Sequence, residues 1–104
     1  MLNVSIIGGS GFIGTRFVSR LRKNNKLHCK IIDKVKSVAF PDLAILADVR
    51  SAEQLSASIT YGSVIVNLAA EHRDDVRPLE LYEEVNVGGA KNICAVASEK
   101  DVKA

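Results

Sequence analysis

Short apolar runs alternate along this chain with longer segments whose apolar residues recur at helical spacing. Four of the short runs are typical of strands; they span residues 2–7, 27–32, 43–47 and 63–68, and the first is rich in β-branched residues. The fourth run is nearly all apolar, and this predicts a strand that is buried on both faces. Because helical segments separate the strands, we expect parallel pairing with right-handed crossovers.

Three helices are predicted between and after these strands. In residues 12–23 the spacing of the apolar residues matches one helix face; they are Phe12, Ile13, Phe17, Val18 and Leu21. Ser51 is suited to cap a short helix that runs through Ile59. Pro78 is suited to the first turn of a long helix that ends near Glu99.

These elements predict one layered α/β domain that spans residues 1–104. No internal repeat, low-complexity segment or linker divides the chain, and its length suits a single domain. Hydrophobic residues make up 47% of the chain and aromatic residues only 5%, with no Trp. The core must therefore consist of Val, Ile, Leu and Ala, a mixture that suits a parallel sheet covered by helices.

Charge and cysteine content argue against several classes of partner. The net charge is only +2 and acidic residues interrupt the basic ones, so we expect no nucleic-acid partner. The first apolar run stops at Gly8, too early for a signal peptide or a membrane span, which favours a cytoplasmic protein without membrane contact. Cys29 and Cys94 are expected to be reduced core residues. The sequence has no Cys/His cluster of the kind that would indicate a metal site.

A glycine-rich turn is the strongest candidate for a binding site. The sequence Gly-Gly-Ser-Gly-Phe-Ile-Gly occupies residues 8–14, between the first strand and the first helix. Gly8 permits a tight turn, Gly11 lets the backbone approach a pyrophosphate, and Gly14 lets the helix pack closely on the sheet. The N–H groups at the helix start then face the diphosphate. The alternative is a strand–helix turn that binds nothing.

Aspartates that follow two of the strands support a dinucleotide site. Asp33 comes about 20 residues after the glycine turn, where a carboxylate accepts from the adenosine ribose. It also repels a 2′-phosphate and so favours NAD over NADP, although Lys34 could pair with that phosphate. Asp48 is placed to accept from the adenine amino group and the Val49 backbone to meet the ring, while Arg50 is expected to be solvated. Each aspartate has a simpler interpretation, as a solvated strand end or a turn former.

Small residues follow the fourth strand. Asn67-Leu68-Ala69-Ala70 would let a ligand lie close against the backbone at the carboxyl end of the sheet. The alternative is that Ala69 and Ala70 are small because a helix packs on them. The charged residues 71–77 that come next are expected to form a solvated loop.

Five motifs occur in one order: the glycine turn 8–14, Asp33, Asp48-Val49-Arg50, Asn67-Leu68-Ala69-Ala70, and Asn86-Val87-Gly88-Gly89-Ala90-Lys91-Asn92. Together they resemble the N-terminal portion of an extended short-chain dehydrogenase/reductase, in the NAD-dependent epimerase/dehydratase family. The resemblance implies a partial Rossmann-like parallel sheet of strand order 3-2-1-4 with helices on both faces. It also implies that Asn86 lies near the cofactor and helps to order the catalytic site; otherwise Asn86 is a polar residue on a helix face. The cofactor-binding residues predicted in this way are Gly8, Gly11, Phe12, Ile13, Gly14, Asp33, Asp48, Val49, Leu68, Ala69, Ala70 and Asn86.

The catalytic pair that the resemblance implies does not occur in these 104 residues. In the family, a Tyr-x-x-x-Lys pair supplies the acid/base, because the Lys lowers the pKa of the Tyr. Here Ile65 stands four positions after Tyr61, and Asn86 four positions after Tyr82. Many family members also have His where Asn67 stands, so no role is assigned to that side chain. Since the family's fifth strand would begin near Ala104, we expect a truncated domain that is inactive alone.

The resemblance implies that the parent is an NAD-dependent nucleotide-sugar epimerase or dehydratase. In such an enzyme NAD takes a hydride from the sugar and later returns it. Two alternatives are a non-catalytic NAD(P)-binding sensor or regulatory module, and an interaction protein that binds no nucleotide. Strand 63–68 is central in the family's sheet, so here one edge of it is expected to be bare and to pair with a second copy.

Overall fold

A four-stranded parallel sheet forms the centre of the molecule. The protein is described here as a computed structural model, which covers residues 2–69 and 79–104. The strand order is β3-β2-β1-β4, with β1 at Leu2–Ile7, β2 at Leu27–Asp33, β3 at Ala44–Leu46 and β4 at Val64–Asn67. In this register Val4 pairs with Cys29 on one side and with Val64 on the other. The predicted α/β fold with strand order 3-2-1-4 is confirmed.

Helices cover both faces of this sheet. They are α1 (Phe12–Leu21), α2 (Ala52–Ser58), α3 (Leu79–Glu83) and α4 (Gly89–Glu99). Ile6 packs with Val18 of α1 on one face, whereas Ile7 packs with Leu55 of α2 and Ile93 of α4 on the other. Successive strand residues point to opposite faces, so adjacent isoleucines in β1 serve two separate apolar clusters. This arrangement leaves the carboxyl ends of the strands open between the two helical layers.

The C-terminal helix contains a π-helical segment that the sequence pattern does not predict. This segment, Glu84–Gly88, joins α3 to α4, and the N–H of Gly89 donates to the carbonyl of Glu84. The predicted helix end at Glu99 is confirmed. The predicted start at Pro78 lies outside the described residues. A π-helical turn holds one residue more than an α-helical turn, so it changes which side chains share a face.

Two other elements are shorter than the sequence predicts. Helix α1 ends at Leu21 rather than at residue 23, with Arg22 as its last capping residue. Strand β3 begins at Ala44 because Pro41–Leu43 form a 3-10 turn, in which the fixed φ of proline fits the first position. The predicted short helix is confirmed at Ala52–Ser58, and the Ser51 side chain accepts a hydrogen bond from the N–H of Gln54 as expected of a cap.

Strand β4 is half-buried, so the prediction that it is buried on both faces is wrong. It lies at the end of the strand order, where Val64, Ile65 and Val66 are only partly covered and Asn67 is exposed. The predicted bare edge is also wrong for the first half of the strand. The N–H of Lys103 donates to the carbonyl of Ser63 (3.0 Å) and the N–H of Ile65 donates to the carbonyl of Ala104 (2.8 Å).

The two cysteines differ in their surroundings. Cys29 is buried in β2, and this burial raises the pKa of its thiol. Cys94 is exposed on α4, so the prediction that it belongs to the core is wrong; it lies on the solvent side of that helix, next to the buried Ile93. Across residues 2–69 and 79–104, no helix has both the length and the apolar character needed to cross a membrane.

Candidate functional site

A cavity of about 670 Å³ opens at the carboxyl ends of the strands. Ten of the twelve predicted site residues line it: Gly8, Gly11, Phe12, Ile13, Gly14, Asp33, Asp48, Val49, Leu68 and Ala69. Of the other two, Ala70 lies outside the described residues, and Asn86 is half-buried in the π-helical segment beside the cavity-lining Val85. Four apolar residues line the cavity without a predicted site role, namely Ile7, Ile32, Ala47 and Val85.

Two glycines of the turn are required by the fold itself. Gly8 has φ of +78°, and a Cβ on it would lie 2.6 Å from the backbone nitrogen of Ala69. A Cβ on Gly14 would lie 2.5 Å from Cα of Gly9. Both distances are shorter than any real Cβ contact, so neither position accepts a side chain. The close approach at Gly14 therefore joins the helix to the turn, rather than to the sheet as predicted.

Gly11 differs from these two glycines because the protein does not require it. Its φ of −77° is open to any residue, and the nearest atom to an added Cβ would be the carbonyl oxygen of Gly8, 3.9 Å away. Gly11 nevertheless lines the cavity. A Cβ here would project into the cavity. A ligand that lies close against the backbone needs this space to be empty.

The start of α1 presents backbone donors to the cavity. The first intrahelical hydrogen bond runs from the N–H of Thr15 to the carbonyl of Gly11, and Gly11 has no side chain with which to cap the helix. The N–H groups of the residues between them therefore have no intrahelical acceptor, which makes this end of the helix attractive to an anion.

Phe12 and Ile13 belong to this cavity and not to the core. Their exposed fractions are 73% and 67%, although the apolar spacing places them on one helix face with the buried Val18. They occupy the first turn, which projects beyond the sheet, whereas Val18 one turn and a half later is fully buried. The Arg16 guanidinium lies 4.5 Å from the centre of the Phe12 ring, where the aromatic face attracts a cation.

Asp33 connects the end of β2 to the glycine turn. Its Oδ2 accepts from the N–H of Ser10 (3.0 Å), and its Oδ1 accepts from the N–H of Val35 (3.3 Å). The Ser10 hydroxyl in turn donates to the carbonyl of Val35 (2.7 Å). A carboxylate has about four acceptor positions, so these two bonds leave Asp33 with acceptor capacity toward the cavity, where Lys34 also lies.

Asp48 forms a bidentate ion pair with Arg50. The shortest contact joins Asp48 Oδ2 to Arg50 Nη2 at 2.7 Å, and the backbone N–H of Arg50 donates to Oδ1 (2.9 Å). Hydrogen bonds from the Arg50 side chain lower the pKa of Asp48. Arg50 Nη1 also lies 3.4 Å from Glu84 Oε2. The prediction that Arg50 is merely solvated is therefore wrong, and no local pattern could have indicated a partner 34 positions later in the chain.

The end of β4 closes the opposite side of the cavity. The N–H of Leu68 donates to the carbonyl of Ile7 (2.7 Å), and Asn67 Oδ1 accepts from the N–H of Ala69 (3.0 Å). The Asn67 side chain thus shapes the turn that brings Ala69 against Gly8. This approach of the Ala69 backbone accounts for glycine at position 8 without a ligand.

Comparison with known proteins identifies the family of this chain. The model of the 3-beta hydroxysteroid dehydrogenase/isomerase family matches residues 5–104. The chain belongs to this family. This membership confirms the resemblance to an extended short-chain dehydrogenase/reductase that the five motifs indicate.

Relatives of this family member include a sugar epimerase. The chain is 40% identical over 101 residues to the N-acetyl-alpha-D-glucosaminyl-diphospho-ditrans,octacis-undecaprenol 4-epimerase of Escherichia coli O157:H7. The match covers 97% of this chain and 30% of the epimerase, so the chain spans about a third of the length of that relative.

Solved structures of the same fold include proteins with bound NAD. A short-chain dehydrogenase/reductase superfamily protein from Agrobacterium tumefaciens with bound NAD matches with a TM-score of 0.85 and 21% identity, over 96% of this chain and 30% of that one. The UDP-glucose 4-epimerase of Thermus thermophilus in complex with NAD matches with a TM-score of 0.82 and 22% identity, over 96% and 35%. At these identities the two structures confirm the fold.

Proposed function

We propose that this chain binds a nicotinamide dinucleotide, NAD in preference to NADP, in the cavity at the carboxyl ends of the strands. The observation that carries the proposal is the space beside Gly11. Gly8 and Gly14 are glycines because neighbouring backbone excludes a side chain, but a side chain at Gly11 would fill only space in the cavity. A ligand that lies against the backbone at a helix N-terminus accounts for that space, and a diphosphate suits the donors there.

The other cavity residues suit the remaining parts of a dinucleotide. The acceptor capacity of Asp33 suits the ribose hydroxyls of the adenosine. Val49 would lie against the adenine ring, and Asp48 would act mainly by holding Arg50, because its carboxylate accepts several bonds from that residue. Leu68 and Ala69 would border the ligand on the β4 side, followed by Ala70. When bound, the nicotinamide would supply hydride transfer.

For the whole protein we propose an epimerase or dehydratase that acts on a sugar carried by a diphosphate. The named substrate of the Escherichia coli relative is such a sugar, linked to a polyprenol, and a nucleotide sugar has the same diphosphate linkage. The second candidate is a non-catalytic dinucleotide-binding sensor, because the same cavity would serve dinucleotide binding without catalysis. We further propose that residues 1–104 act as one domain in the cytoplasm, where Cys29 and Cys94 would stay reduced.

Calorimetric titration of NAD into the chain tests the binding proposal. Gly11→Val adds methyl groups to the space beside the turn and should abolish measurable binding, while thermal unfolding shows that the variant is folded. Ser19→Val, on the exposed side of the same helix, is the matched control and should bind as the unmodified chain does. Equal NAD affinity in the Gly11→Val variant would refute the proposal.

A further inference from the structure

Three residues of the C-terminal helix contact the connection between β3 and α2. Asn92 Nδ2 donates to the backbone carbonyl of Val49 (2.9 Å). Glu84 Oε2 lies 3.4 Å from Arg50 Nη1. Gly89 lies so close that a Cβ on it would be 2.8 Å from Cγ2 of Val49. The helix therefore holds this connection by a hydrogen bond, an ion pair and a close backbone approach.

The π-helical turn makes this set of contacts possible. Gly89 follows Glu84 by five positions, and in an α-helix that spacing turns the two positions about 140° apart. Here the N–H of Gly89 bonds to the carbonyl of Glu84, so the wider π-helical turn brings the two positions nearer to the same side of the helix. Asn92 follows Gly89 by three residues, which keeps it on the same side. A regular helix would direct Glu84 away from Arg50.

The contacts bear on a wall of the cavity. Val49 lines the cavity and is only 8% exposed, and its carbonyl is fixed by Asn92 while its neighbours Asp48 and Arg50 are fixed by each other. A wall held in place before a ligand arrives does not have to be ordered on binding, which favours affinity and selectivity. The hydrogen bond to Asn92 is partly buried, so water replaces it poorly.

We propose that Asn92 is a positioning residue that fixes the Val49 wall and thereby sets selectivity for the adenine base. Gly89 and the π-helical turn bring the helix close enough to Val49 for Asn92 to make this contact. This inference rests on the proposed dinucleotide function. It gives a physical role to the second asparagine of the 86–92 motif, in which only Asn86 has a role predicted from the sequence.

The test measures affinity for two dinucleotides that differ only in the base. NAD and nicotinamide guanine dinucleotide are titrated into the unmodified chain, into Asn92→Asp, and into the control Lys91→Ala, whose side chain is exposed next to Asn92. Asn92→Asp keeps the size of the side chain but replaces the N–H donor with a carboxylate oxygen that repels the Val49 carbonyl. NAD affinity should fall about tenfold, the scale of one lost hydrogen bond, with a much smaller change for the guanine analogue.

The ratio of the two affinities separates positioning from stability. A variant that is merely less folded loses both ligands by the same factor, so an unchanged ratio would overturn the inference. The control should retain both affinities. If the unmodified chain binds neither dinucleotide, the proposed function itself fails, which is a different outcome from binding with an unaltered ratio in Asn92→Asp.

A second variant covers the case in which Asn92→Asp does not fold. Gly89→Ala leaves the Asn92 side chain unchanged but places a methyl group 2.8 Å from Cγ2 and 3.1 Å from Cβ of Val49, so Val49 has to shift. It should lower the ratio of the NAD affinity to the affinity for nicotinamide guanine dinucleotide, as Asn92→Asp does. A ratio equal to that of the unmodified chain would count against the inference as directly as the asparagine variant does.

Discussion

The cavity has two walls that are built by different means. The glycine turn, residues 8–14, is shaped by backbone atoms that approach too closely for side chains, as at Gly8 and Gly14. The connection between β3 and α2 also has one close approach, at Gly89, but it is held mainly by side chains: Asp48 binds Arg50, Arg50 reaches Glu84, and Asn92 binds the Val49 carbonyl.

This difference determines how each wall responds to change. A Cβ added at Gly8 or Gly14 would lie 2.5 to 2.6 Å from backbone atoms, and this overlap cannot be relieved without moving the chain, so the cost of an added methyl group should be large and independent of pH and salt. Exposed charged groups are screened by water and ions, so their loss should cost less and depend on both. The first wall is therefore expected to exclude an added side chain under all conditions, whereas the ionic contacts that help to hold the second wall should weaken at high salt and low pH.

The largest effect is expected from Gly8→Ala, which breaks the backbone-built wall. The new Cβ would meet the Ala69 nitrogen at 2.6 Å, at a φ of +78° that alanine rarely adopts. Strain and overpacking together should lower the free energy of unfolding by about 3 kcal/mol or more. Urea unfolding monitored by circular dichroism measures this loss.

Gly62→Ala is the matched control for Gly8→Ala. Gly62 has a similar φ of +70°, but an added Cβ would meet nothing within 4 Å. This variant should therefore cost only the backbone strain, about 1 kcal/mol. Equal losses in the two variants would mean that the contact with Ala69 contributes nothing and that the first wall is not sterically fixed.

The two walls also differ in how far the sequence predicts them. The position of the glycine turn could be predicted because it directly follows a strand, and the contact of Gly14 with Gly9 lies within the turn. Asp33 could be placed because it ends the second predicted strand. The contact of Gly8 with Ala69 depends on how β4 packs beside β1 and has no local signal. The pairing of Arg50 with Glu84 depends on a π-helical turn at residues 84–88, and an apolar pattern carries no signal for one extra residue in a turn.

The errors in predicted burial have a related cause. Periodicity shows that Phe12 and Ile13 share a helix face, but it does not show that the first turn of α1 projects past the sheet into the cavity. The apolar run of β4 likewise shows a strand but not its place at the end of the strand order. Burial is set by the neighbours that the whole fold supplies, and Cys94, exposed on α4, illustrates the same limit.

A smaller effect is expected from Asp33→Asn, which tests the point where a side chain supports the glycine turn. The asparagine oxygen can still accept from the Ser10 N–H, but its amide nitrogen cannot accept from the Val35 N–H, so the free energy of unfolding should fall slightly while the fold is kept. Removal of the negative charge should reduce the preference for NAD over NADP about tenfold, because a carboxylate no longer faces the 2′-phosphate. Calorimetry with both dinucleotides gives the ratio, and Asp42→Asn, exposed and outside the cavity lining, serves as the control. If the unmodified chain binds NADP as tightly as NAD, Lys34 and not Asp33 governs the choice.

The smallest effect is expected from acid, and it should separate the two walls most cleanly. Because hydrogen bonds from Arg50 lower the folded-state pKa of Asp48 below 3.8, the ionised carboxylate stabilises the fold above that value. This contribution is lost as the pH falls through the folded-state pKa. Urea unfolding from about pH 6 to about pH 2.5 should therefore show the Asp48→Asn variant less stable than the unmodified chain near neutral pH, with the two curves converging below about pH 4.

Gly8→Ala should instead give a curve displaced by the same amount at every pH, since no titrating group takes part in its contact. A constant offset for Asp48→Asn would contradict the view that charge holds the second wall, because a steric or packing loss is the kind that does not titrate.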